Sequence, residues 1–228
     1  VVTRSNKRAN IFNQGIRNMV LDRDEELSQG DILMIVKNNY YWMEEERKKV
    51  SEERRVKSEE TAFGGRRESQ FNCLANHKVQ SSKFKVQSKE LPAFLANGDR
   101  AKVLRVRRRI DLYGFRFATL LLQFPDYDNY ELEATVLLDT LTSEAPALTH
   151  EQQEQLFRQI EEDYQDIPLK ADRMKAIRQD QFFNALQVKF AYAVTCHKAQ
   201  GGQWAHVYVD QGYMTDDMLT PDYIHWLY

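Results

Sequence analysis

Apolar residues recur at two different periods along this chain, and the places where the period changes mark its organisation. Val1-Val2-Thr3 reads as the end of a buried strand, after which Ser5 or Asn6 can cap a helix whose Ala9, Phe12, Ile16 and Met19 fall at helical spacing. Gln29-Gly30-Asp31 predicts a turn into a strand over Ile32 to Val36. Further strands are expected at Lys102 to Arg107, where apolar and basic residues alternate, at Phe115 to Phe124, and at Leu132 to Leu138. Asn97-Gly98-Asp99 and the stretch from Pro125 to Asn129 supply turns between them. Beyond residue 145 the helical period returns. Thr149 with Gln152 predicts a capping box, Leu156, Ile160 and Tyr164 share one helix face, and Pro168 can open a helix carrying Met174 and Ile177. Leu186, Val188, Phe190, Tyr192 and Val194 then alternate with Gln187, Lys189, Ala191 and Ala193, the signal of one continuous strand, buried on both faces near its end. Trp204 to Val209 reads as another strand.

Five or so short strands with tight turns between residues 31 and 145 suggest a small β-barrel of SH3-like kind. Residues 44–90 interrupt it. Glu44 to Arg67 is a mixed-charge run with almost no apolar periodicity, although opposite charges at helical spacing permit a solvent-exposed helix over Glu44 to Glu60. Lys78-Val79-Gln80-Ser81 recurs as Lys85-Val86-Gln87-Ser88. Such a segment buries too little apolar surface to offset its ordering entropy, so it reads as a mobile insertion without assigned function. Tyr40-Tyr41-Trp42 beside it can serve as core packing or as a platform for bases.

Composition narrows the classes. Hydrophobic residues make up 42% of the 228, enough for a globular protein, and no apolar run approaches the roughly 20 residues that span a bilayer. No membrane partner is expected. Cys73 and Cys196 cannot form a disulfide framework, which makes a reducing cytoplasm the default. A formal net charge of −2 excludes an argument from overall basicity to nucleic acid. The local candidate is Arg105, Arg107, Arg108 and Arg109, open between a DNA-contacting patch and a solvated charged strand. Cys196, His197 and His206 match no zinc spacing, so no metal is expected. Asp139 and Glu144 read as a solvated strand edge. Both chain ends, the aromatic His225-Trp226-Leu227-Tyr228 above all, read as boundaries inside a longer protein.

The chemistry-bearing segment is Tyr192-Ala193-Val194-Thr195-Cys196-His197-Lys198-Ala199-Gln200-Gly201-Gly202-Gln203-Trp204. A buried strand here delivers a hydroxyl, an imidazole, an ammonium and an amide onto a turn with two glycines. Glycines let backbone N–H groups approach a phosphate, and strand alternation would put Thr195 and His197 on one side. Residues alone allow a site for a phosphorylated ligand or a plain polar turn.

The run closely resembles motif V of superfamily 1 helicases of the RecD-like branch, which includes the exonuclease V alpha chain. Val1 to Arg17, with Asn10 and Asn13 on the helix, looks like the opening of that family's second motor domain. The resemblance implies an α/β fold: a RecA-like second motor domain lacking its own P-loop, formed by 1–30 and 146–228, with the SH3-like barrel inserted at 31–145. It implies an ATP-dependent DNA helicase translocating 5′ to 3′. Thr195, His197 and Lys198 would hold single-stranded DNA, and Gln200, Gly201, Gly202 and Gln203 would lie toward ATP and couple the two. Gln203 departs from the Glu that relatives often carry. ATP and Mg²⁺ would be cofactors of the intact protein, and the missing N-terminal motor domain its partner. No Gly-x-x-x-x-Gly-Lys-Ser/Thr occurs in the chain, so it should not hydrolyse ATP alone. The rival expectation is a non-enzymatic nucleic-acid- or protein-binding module.

Overall fold

The computed structural model describes residues 1–64 and 92–212. Two compact units emerge, one of 1–39 with the chain from 96 onward, the other of 40–95.

The larger unit holds a closed barrel and a small parallel sheet. The barrel strands are β2 (Ile32–Ile35), β3 (Arg100–Leu112), β4 (Phe115–Phe124), β5 (Tyr130–Leu137) and β6 (Leu186–Phe190). Leu33, Val103, Leu120, Leu122, Leu132, Val136 and Val188 are all fully buried between them, and burial of each such side chain is worth about 1.5–3 kcal/mol. The closing strand comes from beyond residue 145, outside the span expected for the barrel. β6 pairs antiparallel with β2 and parallel with β5.

That parallel pair requires a crossover. It is made by α3 (Asp139–Thr142), α4 (His150–Asp163) and α5 (Lys170–Arg178). The Thr149–Gln152 capping box forms as the sequence predicts. Leu156, Ile160 and Ile177 pack with Phe115, Phe117 and Leu148 into a second apolar cluster.

The sheet has the order β7 (Val194–Thr195), β1 (Val2–Thr3), β8 (Val209–Asp210), all parallel. β1 runs into α1 (Asn6–Gly15), with Ser5 as N-cap accepting a hydrogen bond from the Arg8 amide at 3.3 Å. The helix continues into one π-helical turn, Ile16–Val20. Its buried face differs from the one expected. Ala9, Asn13 and Arg17 are buried, whereas Met19 is 87% exposed. Polar residues won that face because each finds partners inside. The strand expected over Trp204 to Val209 shrinks to Val209–Asp210.

The smaller unit carries α2 (Tyr41–Gly64), longer than the exposed helix permitted at Glu44 to Glu60. Lys48 pairs with Glu45 and Lys49 with Glu46 at 2.6 and 2.7 Å. Trp42 and Met43 are buried; Tyr40 stays on the surface, its ring 4.7 Å from that of Phe94. Trp42 therefore packs as core. The Lys-Val-Gln-Ser repeat and Cys73 lie outside the described residues.

Candidate functional site

The strand expected to run unbroken from 186 to 194 is two strands in two sheets. β6 ends at Phe190 in the barrel, and β7 starts at Val194 in the parallel sheet. Asn13 holds the break open. Its side-chain amide donates to the carbonyls of Phe190 (3.2 Å) and Ala193 (3.0 Å), and its oxygen accepts from the Ala193 amide at 2.6 Å. Three backbone groups stranded by the kink are thus satisfied by one side chain. Asn10, a turn earlier, donates to Thr142 and Ser143 carbonyls at 3.1 and 3.0 Å.

On the other flank Asp31, fully buried, gathers a knot of polar groups. Arg17 donates to it twice (3.1 and 3.0 Å), Arg23 at 2.8 Å, the Tyr192 hydroxyl at 2.9 Å and the Ser28 amide at 2.7 Å. Burial alone would raise the Asp31 carboxyl, but the hydrogen bonds from Arg17, Ser28, Tyr192 and Arg23 outweigh it and hold the group below its ordinary value. Burial and the same carboxylate push the Tyr192 phenol up. The Arg17 guanidinium also lies over the Phe190 ring, 4.4 Å from its centroid. The knot ties the barrel entrance to the segment leading into β7.

β7 ends at Thr195, which caps a single helical turn, α6 (Cys196–Ala199). His197 therefore sits on a helical turn and not on a strand end, and the expected shared face with Thr195 does not form. His197 is exposed and opens onto a cleft of about 820 Å³ with Lys198, Gln200, Gly202, Gln203 and Trp204. Thr195 is half-buried and lines a different hollow, with Lys189 and Lys198. Lys198 alone among the three expected DNA contacts lines both, and its ammonium donates to the Asn97 side chain. Val2, Val194, Val207 and Ile32 add apolar surface to the cleft lining, and Arg100 and Asp126, also lining it, bond each other at 2.8 Å.

The two glycines do different work. Gly201 has φ +79°, a left-handed conformation that side chains disfavour, and the space beside it is open. Gly202 has the Trp204 ring where a Cβ would stand. Its close approach is to an indole, so that face is not presented to a phosphate. The Cys196 thiol donates to the Thr3 carbonyl at 3.3 Å, and no group of His, Cys, Asp and Glu that could hold a metal occurs among the described residues. Asp139 bonds Arg116 at 2.9 Å and Glu144 approaches Lys7 at 3.9 Å, so the two carboxylates work apart.

Two bulges in β3 place Arg105, Arg107, Arg108 and Arg109 all at the surface. Arg107 pairs with Glu133 at 2.9 Å and Arg109 bonds the Leu27 carbonyl at 2.7 Å; Arg105 and Arg108 form no ion pair with a described residue. The patch is half neutralised.

Residues 190–228 match the model of the UvrD-like helicase C-terminal domain family. The match begins at the last residue of β6 and takes in the whole loop of the cleft, with 213–228 outside the described residues. Over those residues the match supports a superfamily 1 helicase C-terminal domain, and it suggests a RecA-like α/β fold. No curated protein matches the chain. No described helix is long and apolar enough to cross a membrane.

Sequence reasoning missed Lys189, Asp31 and Arg17. A lysine inside a strand expected to be buried on both faces was the available signal for the first. For the others there was none, because Arg17 sits where the helical period has already slipped into a π turn.

Proposed function

We propose that the chain is the second motor domain of an ATP-dependent, RecD-like DNA helicase, akin to the exonuclease V alpha chain, with an SH3-like barrel inserted in it. The observation that carries this is a coincidence. The segment matching the helicase family is also the one whose His197, Lys198 and Gln200 open onto the large cleft. In this reading His197, Lys198 and Thr195 grip single-stranded DNA, and Gln200, Gly201 and Gln203 relay that grip toward the nucleotide side.

ATP and Mg²⁺ do not fit the described residues alone. The chain has no phosphate-cradling lysine loop, the backbone of Gly202 faces Trp204, and no described acidic cluster could hold a cation. The nucleotide is therefore assigned to a cleft completed by an N-terminal motor domain. Closure of that cleft would shift the 195–203 loop and with it the DNA grip.

In a complete protein, His197→Ala should lower DNA-stimulated ATP turnover and unwinding at least tenfold while leaving DNA-independent turnover nearly unchanged. Undiminished unwinding would remove the assigned role. A second reading, a non-enzymatic nucleic-acid-binding module, is favoured by Arg105 and Arg108, which are exposed and pair with no acidic group among the described residues. ATP turnover of the complete protein with and without single-stranded DNA separates the two.

A further inference from the structure

The chain passes between the parallel sheet and the barrel over 21–31 and returns over 191–193. The return is the shorter passage, and its backbone hydrogen bonds can be traced group by group. On the barrel side the Ala191 amide bonds the Ile32 carbonyl at 2.9 Å, and on the sheet side the Val194 amide bonds the Val1 carbonyl at 2.9 Å. Three further groups, the Phe190 and Ala193 carbonyls and the Ala193 amide, all go to Asn13. Asn13 is 3% exposed, which leaves water little access to take its place. A side-chain amide offers two donors and an acceptor at one end, which neither a carboxylate nor a hydroxyl does.

The loop beyond the passage has little else to aim it. β7 is two residues long and pairs, among the described strands, with β1 alone. The single turn of α6 that carries His197 follows at once. A change of direction at 190–193 is therefore carried to His197 and to the cleft. Arg17, four residues beyond Asn13 and also buried, reaches Asp31 at the end of the first passage. Both passages are thus tied to one helical stretch, and neither Asn13 nor Arg17 lines the cleft.

We propose that Asn13 is a positioning residue for nucleic-acid-stimulated ATP turnover. It aims the loop that bears His197 by supplying the hydrogen bonds of the change from barrel to sheet, and it acts from outside the cleft. This role rests on the helicase reading above and adds a residue to it.

The test uses the complete protein and follows ATP turnover against oligothymidylate concentration, with urea unfolding alongside. Asn13→Leu keeps the branched shape and removes all three bonds. Misplacing a group by about 1 Å can cost about a hundredfold, so a smaller shift should raise the half-stimulating oligonucleotide concentration about tenfold. Turnover at saturating oligonucleotide should stay near the wild-type level. Asn10→Ala is the control, since it takes two hydrogen bonds from the same helix and leaves 190–193 alone. It should leave the half-stimulating concentration unchanged. Equal shifts in the two variants at equal folded fraction would show a structural role only and overturn the proposal. So would a loss in Asn13→Leu confined to saturating turnover. Should Asn13→Leu fail to fold, Asn13→Ser, whose hydroxyl can donate to one carbonyl, reads the same concentration. A wild type that oligothymidylate does not stimulate removes the helicase reading itself, whereas a stimulated wild type with an unshifted Asn13→Leu removes only the role of Asn13.

Discussion

Two polar clusters flank the same few residues of the chain, and they are built on opposite principles. Around Asp31 the carboxylate is fully partnered: it meets two guanidiniums, a phenol and a backbone amide. Lys189 has no carboxylate partner among the described residues: its ammonium donates to the Ser143 carbonyl, and that of Lys198 to the Asn97 side chain. The first arrangement sets a buried carboxylate against cations, and the second leaves its cations to neutral oxygen acceptors. Between them runs the kinked segment 190–193, so the matched cluster fixes the backbone from which the unmatched one is displayed.

The sharpest way to break this contrast is to unmatch the knot. Asp31→Ala would leave Arg17 buried without its counter-charge, and removing one partner of a buried ion pair costs about 3–5 kcal/mol. Urea unfolding should show that loss; a change under about 1 kcal/mol would mean that the knot is decoration. Acid should act in the same direction. The folded carboxyl of Asp31 lies below its ordinary value of 3.8, so its contribution is full above that value and disappears as pH falls through the lower folded one. Chemical unfolding followed from pH 5 downward should therefore show the wild type converging on Asp31→Ala only in strong acid.

Asn13→Ala comes next in size. It orphans the Phe190 and Ala193 carbonyls and the Ala193 amide, and unsatisfied buried backbone groups cost about 1–3 kcal/mol. If the kink rather than the knot aims the loop, this variant should also weaken oligonucleotide binding beyond what Asp31→Ala does at equal stability. Equal binding in both would show that loop position depends on overall stability alone.

What the sequence revealed, and what it hid, follows the same division. Regular periodicity located β4 to the residue and the α4 capping box, because burial of alternate side chains and a cap are local properties. The motif around His197 was legible from residue types, and the family match over 190–228 agrees with its helicase character. The break at 191–193 was not legible. Alternation continues through it without a skipped residue, and only Asn13, some 180 positions away in sequence, accounts for the change of sheet. The placement of His197 failed for the same reason: a strand that ends at Thr195 and passes into a helical turn rotates the next side chains off the expected face. Long-range pairing, such as that of Asp31 with Tyr192, leaves no periodic trace.

The smallest stability effect belongs to the open side of the comparison. His197 is exposed, and no described group holds its imidazole, so His197→Ala should change unfolding stability by no more than about 0.5 kcal/mol. Gly202→Ala on the same loop should cost more, because the Trp204 ring would have to leave the glycine. Tryptophan fluorescence reads that displacement directly, as a shift in emission on Gly202→Ala and none on His197→Ala. A large stability loss in His197→Ala would transfer the imidazole from the ligand-facing cluster to the structural one. The contrast would then have to be redrawn around Lys189 and Lys198 alone.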